Sequence, residues 1–373
     1  MTPPRSMTTP PGAGPDAARD AARDAAGRAE APAVAARHDP GARPDPGARR
    51  HDTSAEAAPP AWIGVDWGTS RLRAWGFDDA GRVLFHVAAD AGMGGLDRSG
   101  FEPALLQAVG PRLRPGRATP VVACGMVGSR QGWVEAPYRD LPCPPLGAGL
   151  VRAPAADPRL EVHVVPGLRQ RRPHADVMRG EETQIAGFLA AHPGFDGVIC
   201  LPGTHAKWAE VSAGEVTSFA TFMTGELFAA LSRHTVLRHS LGDGNGGGGN
   251  GGGGTPEPWD DAAFDAALAE TLSRPERLAR ALFSIRAEDL VAGLPAATAR
   301  ARLSGCLVGA ELAAARPWWL GRAVAIVGAP GLAARYARAL DAQGVRPRLA
   351  DADEMTRRGL AAAHAMLTRG TTA

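Results

Sequence analysis

The chain has 373 residues, 45% of them hydrophobic, which is enough for one large domain or two of ordinary size. Its 41 Lys and Arg residues nearly balance 39 Asp and Glu residues, so the formal charge is only +2 and gives no reason to expect nucleic acid or a membrane surface as a partner. The four cysteines form no C-x-x-C pair, which argues against a zinc or redox motif and predicts reduced thiols in a cytoplasmic protein.

The first 60 residues contain no Leu, Ile, Phe, Trp or Tyr and are dominated by Ala, Pro, Arg, Asp and Gly. Such a segment cannot bury enough surface to offset its chain entropy, so it is predicted to be a disordered tail. A nucleic-acid-binding arm is the sharper alternative, but Asp largely cancels Arg along this stretch. A translation start placed too far upstream is a further alternative.

From residue 61 onward the hydrophobic pattern is mixed. The predicted strands are 62–66, 72–77, 82–87, 120–124, 161–165, 197–201, 207–211, 216–222 and 323–327. The predicted helices are 99–113, 181–191, 225–234, 260–272, 299–315, 331–343 and 353–367. Strands and helices recur in a similar order in both parts of the chain, which indicates an α/β protein with two related lobes, 61–195 and 196–373. The glycine-rich tract 242–258 is interpreted as a flexible loop within the second lobe, with a domain boundary as the alternative.

The stretch WIGVDWGTSRLRAWGF, residues 62–77, places a carboxylate and a glycine turn between two strands. Gly68 allows a tight turn, and backbone N–H groups with the hydroxyls of Thr69 and Ser70 could donate to phosphate oxygens. Arg73 could add a charged contact, and Asp66 could hold Mg²⁺ through water. An ordinary hairpin whose Asp caps the turn is the alternative.

A second strand–turn–strand unit, VICLPGTHAKWAEV at residues 198–211, carries Gly203 and Thr204 at its turn. Two such hairpins, one in each lobe, suggest that both lobes bind the same polyphosphate. Lys207 is a candidate phosphate contact, or else a solvated strand lysine. His205 is a candidate substrate contact, or else a structural histidine.

The segment VMRGEETQIAGFLAAH, residues 177–192, predicts a helix that starts near Gly180, with Glu181 and Glu182 in its first turn. The helix dipole favours carboxylates there and is expected to keep them ionised. One of the two could accept a proton from an attacking hydroxyl, with Glu181 as the first choice and Glu182 next. Simple first-turn charge preference is the alternative.

The segment VAIVGAPGLAARYARAL, residues 324–340, runs from a buried strand through a small-residue turn into a helix. It lacks G-x-G-x-x-G, and the chain lacks the P-loop pattern, so a dinucleotide fold and a P-loop are both disfavoured. Gly328 and Gly331 could let an adenine or ribose lie against the backbone.

Taken in order, these four segments resemble the motifs of the acetate kinase–sugar kinase–Hsp70–actin superfamily. The phrases DWGTSRLRAW, CGMVGSRQGWVEAPY, MRGEETQ, PGTHAKW and FMTGELF together resemble the 2-dehydro-3-deoxygalactonokinase family, from about residue 62 to about 367. The resemblance implies two ribonuclease H-like lobes, with mixed sheets flanked by helices and an ATP cleft between them. It also implies transfer of the ATP γ-phosphate, with Mg²⁺, to the 6-hydroxyl of 2-dehydro-3-deoxy-D-galactonate in galactonate breakdown.

The sugar acid carries a carboxylate, so its pocket should offer donors or cations. The candidate side chains lie after a buried strand and in the second lobe: Ser129, Arg130, Trp133, Tyr138, His205 and Glu226. Trp133 could pack on the sugar or in the core, and Arg130 could pair with the carboxylate or with solvent.

Three alternatives to this function stay open. A kinase for the gluconate epimer or another sugar acid would keep the fold and mechanism. A non-enzymatic sugar sensor on the same fold would need a DNA-binding segment, for which the first 60 residues lack apolar residues. An ATPase without a small acceptor is the third. The sequence also leaves a homo-oligomer open.

Overall fold

The computed structural model describes residues 58–242 and 259–370. The predicted tail and the glycine-rich loop therefore lie almost wholly outside the described residues, and their interpretation stays a prediction. In the described ranges no helix has the length and apolarity needed to cross a membrane.

The strands of the described chain form three sheets. Their bounds are β1 Trp62–Trp67, β2 Leu72–Phe77, β3 Val83–Ala89, β4 Thr119–Gly125, β5 Arg139–Asp140, β6 Val151–Arg152, β7 Leu160–Val164, β8 Leu168–Gln170, β9 Asp176–Met178, β10 Gly197–Leu201, β11 Ala206–Ser212, β12 Glu215–Phe222, β13 Val324–Gly328 and β14 Arg348–Asp351.

The helices cover the faces of these sheets. Their bounds are α1 Phe101–Val109, α2 Glu181–Ala191, α3 Thr224–His234, α4 Arg238–Leu241, α5 Asp261–Ser273, α6 Leu278–Ala292, α7 Ala296–Ala314, α8 Arg316–Trp319, α9 Pro330–Asp341 and α10 Ala352–Gly370.

The two large sheets repeat one topology. The first has the order β3-β2-β1-β4-β7-β6 and the second β12-β11-β10-β13-β14. In each, a meander of three antiparallel strands is extended by two parallel strands on the side of its first member. The first sheet has one further edge strand, β6, which pairs antiparallel with β7. The shared pattern is the ribonuclease H-like arrangement, so the predicted α/β fold with two related, mixed sheets is confirmed.

Two helices join the sheets. Ile185 and Phe188 of α2 pack in the core of the second sheet, although α2 precedes that sheet in the chain. Leu360 and Ala363 of α10 pack on the first sheet, beside Trp62.

The helices α2 and α10 touch each other at glycines. A Cβ on Gly187 would lie 1.9 Å from the backbone oxygen of Met355, and one on Gly359 would lie 1.9 Å from that of Thr183. Only residues without a side chain permit so close a crossing. The pair therefore forms the layer between the two sheets.

The predicted strands and helices all occur, with ends that differ by a few residues. The helix α6 was not predicted. Its only buried residue is Ile285, and Phe283, Leu290 and Val291 are exposed, so it shows no apolar stripe of the usual kind. The edge strand β14 was missed because it is short and largely exposed.

Candidate active site

The turn between β1 and β2 is packed against the glycine-rich segment 92–95, which follows β3. The Met93 N–H donates to the Gly68 carbonyl at 3.0 Å. A Cβ on Gly92 would lie 2.2 Å from the backbone carbon of Ser70, so only glycine allows this approach. Thr69 and Ser70 are exposed at the tip. The turn is thus fixed at its base and open at its tip, an arrangement that suits an anionic ligand.

Asp66 lies at the end of β1, directly opposite Arg73 of β2. The Arg73 guanidinium donates to the carboxylates of both Asp66 and Asp353, the latter from the first turn of α10. Burial lowers the pKa of Arg73, but the two carboxylates outweigh it and hold that pKa above its usual value. Arg73 therefore stays charged and bridges two acidic groups. Its role as a phosphate contact stays a prediction.

Asp66 also faces a buried thiol. The Cys124 Sγ donates to Asp66 Oδ1 at 3.9 Å. Burial raises the pKa of Cys124 well above its usual value, and the charges of Asp66 and Glu182 add to the effect. Cys124 is therefore a neutral thiol that donates a hydrogen bond to the Asp66 side chain.

Two glycines bring the start of α2 next to Asp66. Gly125 ends β4 with a φ of +90°, and a Cβ there would lie 2.7 Å from the Trp67 carbonyl and 3.4 Å from Asp66 Oδ1. Gly180 has a φ of +107°, and a Cβ there would lie 3.3 Å from the Gly125 Cα. Both positions need glycine for conformation and for space. The carboxyl ends of β1 and β4 and the N-terminus of α2 therefore converge.

Of the two adjacent glutamates, Glu182 is completely buried. Its Oε2 accepts from the Gly180 N–H at 2.7 Å and its Oε1 from the Thr183 hydroxyl at 3.0 Å. Burial raises the pKa of Glu182 from 4.5 to about 8, with a further contribution from the charge of Glu181. The expectation that both carboxylates stay ionised is therefore wrong for Glu182, because desolvation outweighs the helix dipole.

Glu181 points elsewhere and remains 23% exposed at its side chain. Its Oε2 accepts from the Arg179 N–H at 3.0 Å, and its Oε1 lies 3.0 Å from Lys207 Nζ. Lys207 belongs to β11, so this ion pair joins the first turn of α2 to the second sheet. The Lys207 side chain is only 5% exposed and also donates to the His205 carbonyl at 3.1 Å. The solvated-lysine alternative for Lys207 is therefore wrong.

The turn between β10 and β11 is supported in the same way as the first turn. A Cβ on Gly225, in the first turn of α3, would lie 2.4 Å from the Gly203 carbonyl oxygen. The Glu226 N–H donates to the Thr204 carbonyl at 3.0 Å. Thr204 is exposed, and a Cβ on Gly203 would meet nothing within 4 Å. The outer side of the turn is consequently open.

His205 and Glu226 form a pair beside this second turn. Their Nε2 and Oε2 atoms are 2.5 Å apart, and each side chain is 48% exposed. The two predicted substrate residues of the second sheet are therefore brought together, and their polar atoms face each other at the surface.

The predicted adenosine turn follows β13. A Cβ on Gly328 would lie 3.4 Å from the Pro202 ring, so this turn adjoins the second phosphate turn. Gly331 lies in the first turn of α9, and a Cβ there would meet nothing within 4 Å. Both glycines therefore lie at one end of the second sheet.

The predicted sugar-acid segment divides into buried and exposed residues. Arg130 is 81% exposed and lies 3.8 Å from Glu135, an arrangement typical of a solvated side chain. Trp133 is buried, and its Nε1 donates to the Pro154 carbonyl at 2.9 Å. These contacts favour the core-packing alternative for Trp133. The Ser129 hydroxyl is buried without a hydrogen-bond partner.

Arg179 is the residue of this region that the sequence analysis missed. Its guanidinium lies over the Tyr138 ring, 4.3 Å from the centroid, and its Nη2 donates to the Ala136 carbonyl at 2.8 Å. Its Nε and Nη1 are buried and lack hydrogen-bond partners. Arg179 thereby fastens the segment 125–138 to the start of α2. Its position directly before Gly180 was the available signal.

Within residues 58–242 and 259–370, no group of three or more His, Cys, Asp or Glu residues is arranged to hold a metal ion. Asp66, whose carboxylate accepts from Arg73 and Cys124, is the single predicted metal ligand, which suits an ion held mainly by water and phosphate oxygens rather than by an all-protein cage. The residues present therefore fit Mg²⁺ brought in with a nucleotide.

Comparison with known proteins gives one consistent family. The model of the 2-keto-3-deoxy-galactonokinase family matches residues 66–363. A Rhizobium meliloti protein named as a probable 2-dehydro-3-deoxygalactonokinase is 40% identical over 306 residues, covering 81% of this chain and 96% of the relative. The 2-dehydro-3-deoxygalactonokinase of Escherichia coli is 35% identical over 286 residues, covering 76% and 90%.

One solved structure agrees with these relatives. A protein from Sinorhizobium meliloti, named as a putative 2-dehydro-3-deoxygalactonokinase, superposes with a TM-score of 0.73 and 38% identity, covering 82% of this chain and 96% of that one.

Proposed function

The chain belongs to the 2-keto-3-deoxy-galactonokinase family, and we therefore propose that it transfers the γ-phosphate of ATP to the 6-hydroxyl of 2-dehydro-3-deoxy-D-galactonate. The bond between the γ-phosphorus and the β–γ bridging oxygen breaks, a bond from phosphorus to the sugar oxygen forms, and ADP leaves. The hydroxyl proton passes to an enzyme carboxylate. Such a reaction needs positioning, charge neutralisation and a base.

The observation that carries the proposal is the placement of Glu181. Its carboxylate is partly exposed and is oriented by the Arg179 N–H and Lys207, next to the converging ends of β1 and β4. We propose Glu181 as the base. Glu182 is a poor candidate because its oxygens are buried and already accept from Gly180 and Thr183.

The two open turns are proposed to hold the triphosphate. Gly68, Thr69 and Ser70 would contact it from the first sheet, and Gly203 and Thr204 from the second. Asp66 would hold a magnesium ion through water, and that ion would neutralise charge on the phosphate oxygens. Gly328 and Gly331 would lie against the adenosine, because their turn adjoins Pro202.

The sugar acid is proposed to bind near residues 125–138, with Tyr138 at its edge and His205 and Glu226 approaching from the second sheet. The exposed Arg130 is free to reach a carboxylate there. We place the reaction in galactonate breakdown. A cytoplasmic location fits the four cysteines, all of which are free thiols.

The decisive test measures ADP release by the purified protein with ATP and Mg²⁺. The acceptors compared are none, 2-dehydro-3-deoxy-D-galactonate and its gluconate epimer, with the 6-phosphate product identified by phosphorus NMR. Dependence on the galactonate compound, lost in Glu181→Gln, is the expected result.

Other outcomes identify the alternatives. Equal turnover of both epimers would widen the substrate, and release without an acceptor would indicate an ATPase. Nucleotide or sugar-acid binding with no turnover at all would contradict the enzyme and favour a sensor.

A further inference from the structure

Glu311 is a buried carboxyl group in the second half of the chain that the proposed chemistry does not use. It lies on α7 and is 3% exposed. It accepts three hydrogen bonds: from Trp208 Nε1 at 2.8 Å, from the Tyr336 hydroxyl at 2.7 Å and from the Thr224 hydroxyl. Burial raises the pKa of Glu311, and the three donors act against that rise. Among the described residues, no lysine or arginine forms an ion pair with it.

The three donors belong to three different elements of the proposed nucleotide site. Trp208 directly follows Lys207 on β11. Thr224 begins α3 and precedes Gly225, the glycine pressed against the second phosphate turn. Tyr336 lies on α9, the helix that begins at the adenosine turn. One carboxyl group therefore connects the supports of the second phosphate turn and of the adenosine turn.

Burying a carboxyl group without a cation costs free energy, because the group loses its hydration. A well-packed apolar side chain would avoid this desolvation cost. What the carboxyl group offers is direction: each hydrogen bond fixes a distance and an angle that apolar packing leaves looser. Trp208 and Tyr336 are themselves buried, so each needs an acceptor for its polar atom.

We propose that Glu311 is a positioning residue that fixes the second phosphate turn relative to the adenosine turn, and so determines how tightly the protein holds ATP. It acts through Thr224 and Tyr336 and does not touch the nucleotide itself. The proposal rests on the proposed kinase function, specifically on ATP binding at these two turns.

The test removes one donor at a time with substitutions that keep the shape of the side chain, Thr224→Val and Tyr336→Phe. Glu311→Gln, which keeps one acceptor oxygen, is the third variant. The primary readout is the Kd of a non-hydrolysable ATP analogue with Mg²⁺, measured by calorimetry. Steady-state KM values for ATP and for the sugar acid give a second readout.

Each single variant is expected to weaken nucleotide binding about 3- to 10-fold, the effect of one lost hydrogen bond. The KM for the sugar acid should stay within about twofold, because that substrate is proposed to bind mainly to the other sheet. Thr271→Val is the matched control: Thr271 is a buried threonine on α5 outside the network, and its loss should leave the Kd unchanged.

Two results would overturn the inference. One is a wild-type Kd in both Thr224→Val and Tyr336→Phe. The other is an equal rise in both KM values with a fall in Tm, which would show general loosening of the fold. Failure of the kinase proposal is distinguishable, since the wild-type protein would then either bind no ATP analogue or fail to phosphorylate the sugar acid.

Discussion

The two proposed phosphate hairpins share one backbone design and differ in the residue that lies opposite the basic side chain. Each has a strand, a Gly-Thr turn and a returning strand, and a glycine from a neighbouring segment presses on each turn. In the first hairpin, Asp66 lies opposite Arg73. In the second, Leu201 lies opposite Lys207. The basic residues occupy equivalent positions, but only Arg73 has an acidic residue directly opposite it on the neighbouring strand.

That difference gives the two basic side chains, Arg73 and Lys207, different partners. Arg73 is neutralised within its own hairpin and by Asp353. Lys207 has a leucine opposite it, so its ammonium group reaches α2 and pairs with Glu181. One hairpin thus carries the acidic group proposed to hold a hydrated cation, and the other places the Lys207 ammonium group beside the proposed base. The four predictions that follow test this division.

The largest effect is expected for the proposed base. In Glu181→Gln, kcat should fall by about 10²- to 10⁴-fold, the usual contribution of a positioned base, while the KM values change little. Steady-state kinetics with ATP and the sugar acid measure this. Glu182→Gln is the matched neighbour and should keep most of its kcat, because that side chain is already largely neutral at pH 7. An equal loss in the Glu182 variant would contradict the assignment.

Lys207→Met should come next. Losing a charged contact to Glu181 is expected to lower kcat about 10- to 100-fold. Arg73→Met is the equivalent change in the other hairpin and should instead lower the Mg²⁺ concentration needed for half-maximal rate, because Asp66 loses its cationic partner. Titrations of ATP and Mg²⁺ separate these effects. A Lys207 variant altered mainly in its KM for ATP would show that the lysine contacts phosphate, and the proposed division between the hairpins would be wrong.

Gly92→Ala and Gly225→Ala should behave alike, because the added methyl groups would meet backbone atoms at 2.2 Å and 2.4 Å. Displacing either turn should raise the KM for ATP about tenfold. Gly95→Ala is the control, since a Cβ there meets nothing within 4 Å. If only one turn were sensitive, the nucleotide would be held by one hairpin rather than by both.

The smallest effect concerns stability and pH. Because the pKa of Glu182 rises from 4.5 to about 8 on folding, the folded protein binds more protons than the unfolded chain between these values. The free energy of unfolding should therefore fall as pH rises through this window, by on the order of 1 kcal/mol per unit, and level off above it. Glu182→Gln removes this slope, so its Tm relative to wild type should be higher at pH 8.5 than at pH 5. A pH-independent difference would show that Glu182 is ionised throughout.

Much of the fold followed from the sequence because its signals are local. Buried strands ended by Gly-Thr turns, and helices with apolar stripes, can be recognised within about 15 residues. Helix α6 was not predicted because it buries so little of its surface. The packing of α2 on the second sheet and of α10 on the first was not predicted either, since no local pattern reveals which surface a helix covers.

The site was predictable to a lesser degree. Turn glycines and the two glutamates were visible as motifs. The separate environments of Glu181 and Glu182 were not. The helix period shows that adjacent residues point to different sides, but not which of the two sides is buried. Arg179 over Tyr138, Lys207 beside Glu181 and Glu311 among its three donors all depend on contacts between distant parts of the chain.

The placement of α10 has a consequence for synthesis of the protein. This last helix covers the first sheet, where Leu360 and Ala363 pack with Trp62, Trp75 and Phe77. While the ribosome is still translating, the first sheet has no such cover, and its apolar face stays exposed until nearly the whole chain has emerged. If the chain folds in order from the N-terminus, the first sheet therefore lacks this cover until α10 has been made. Removal of α10 should therefore destabilise the first sheet, although that sheet is made first.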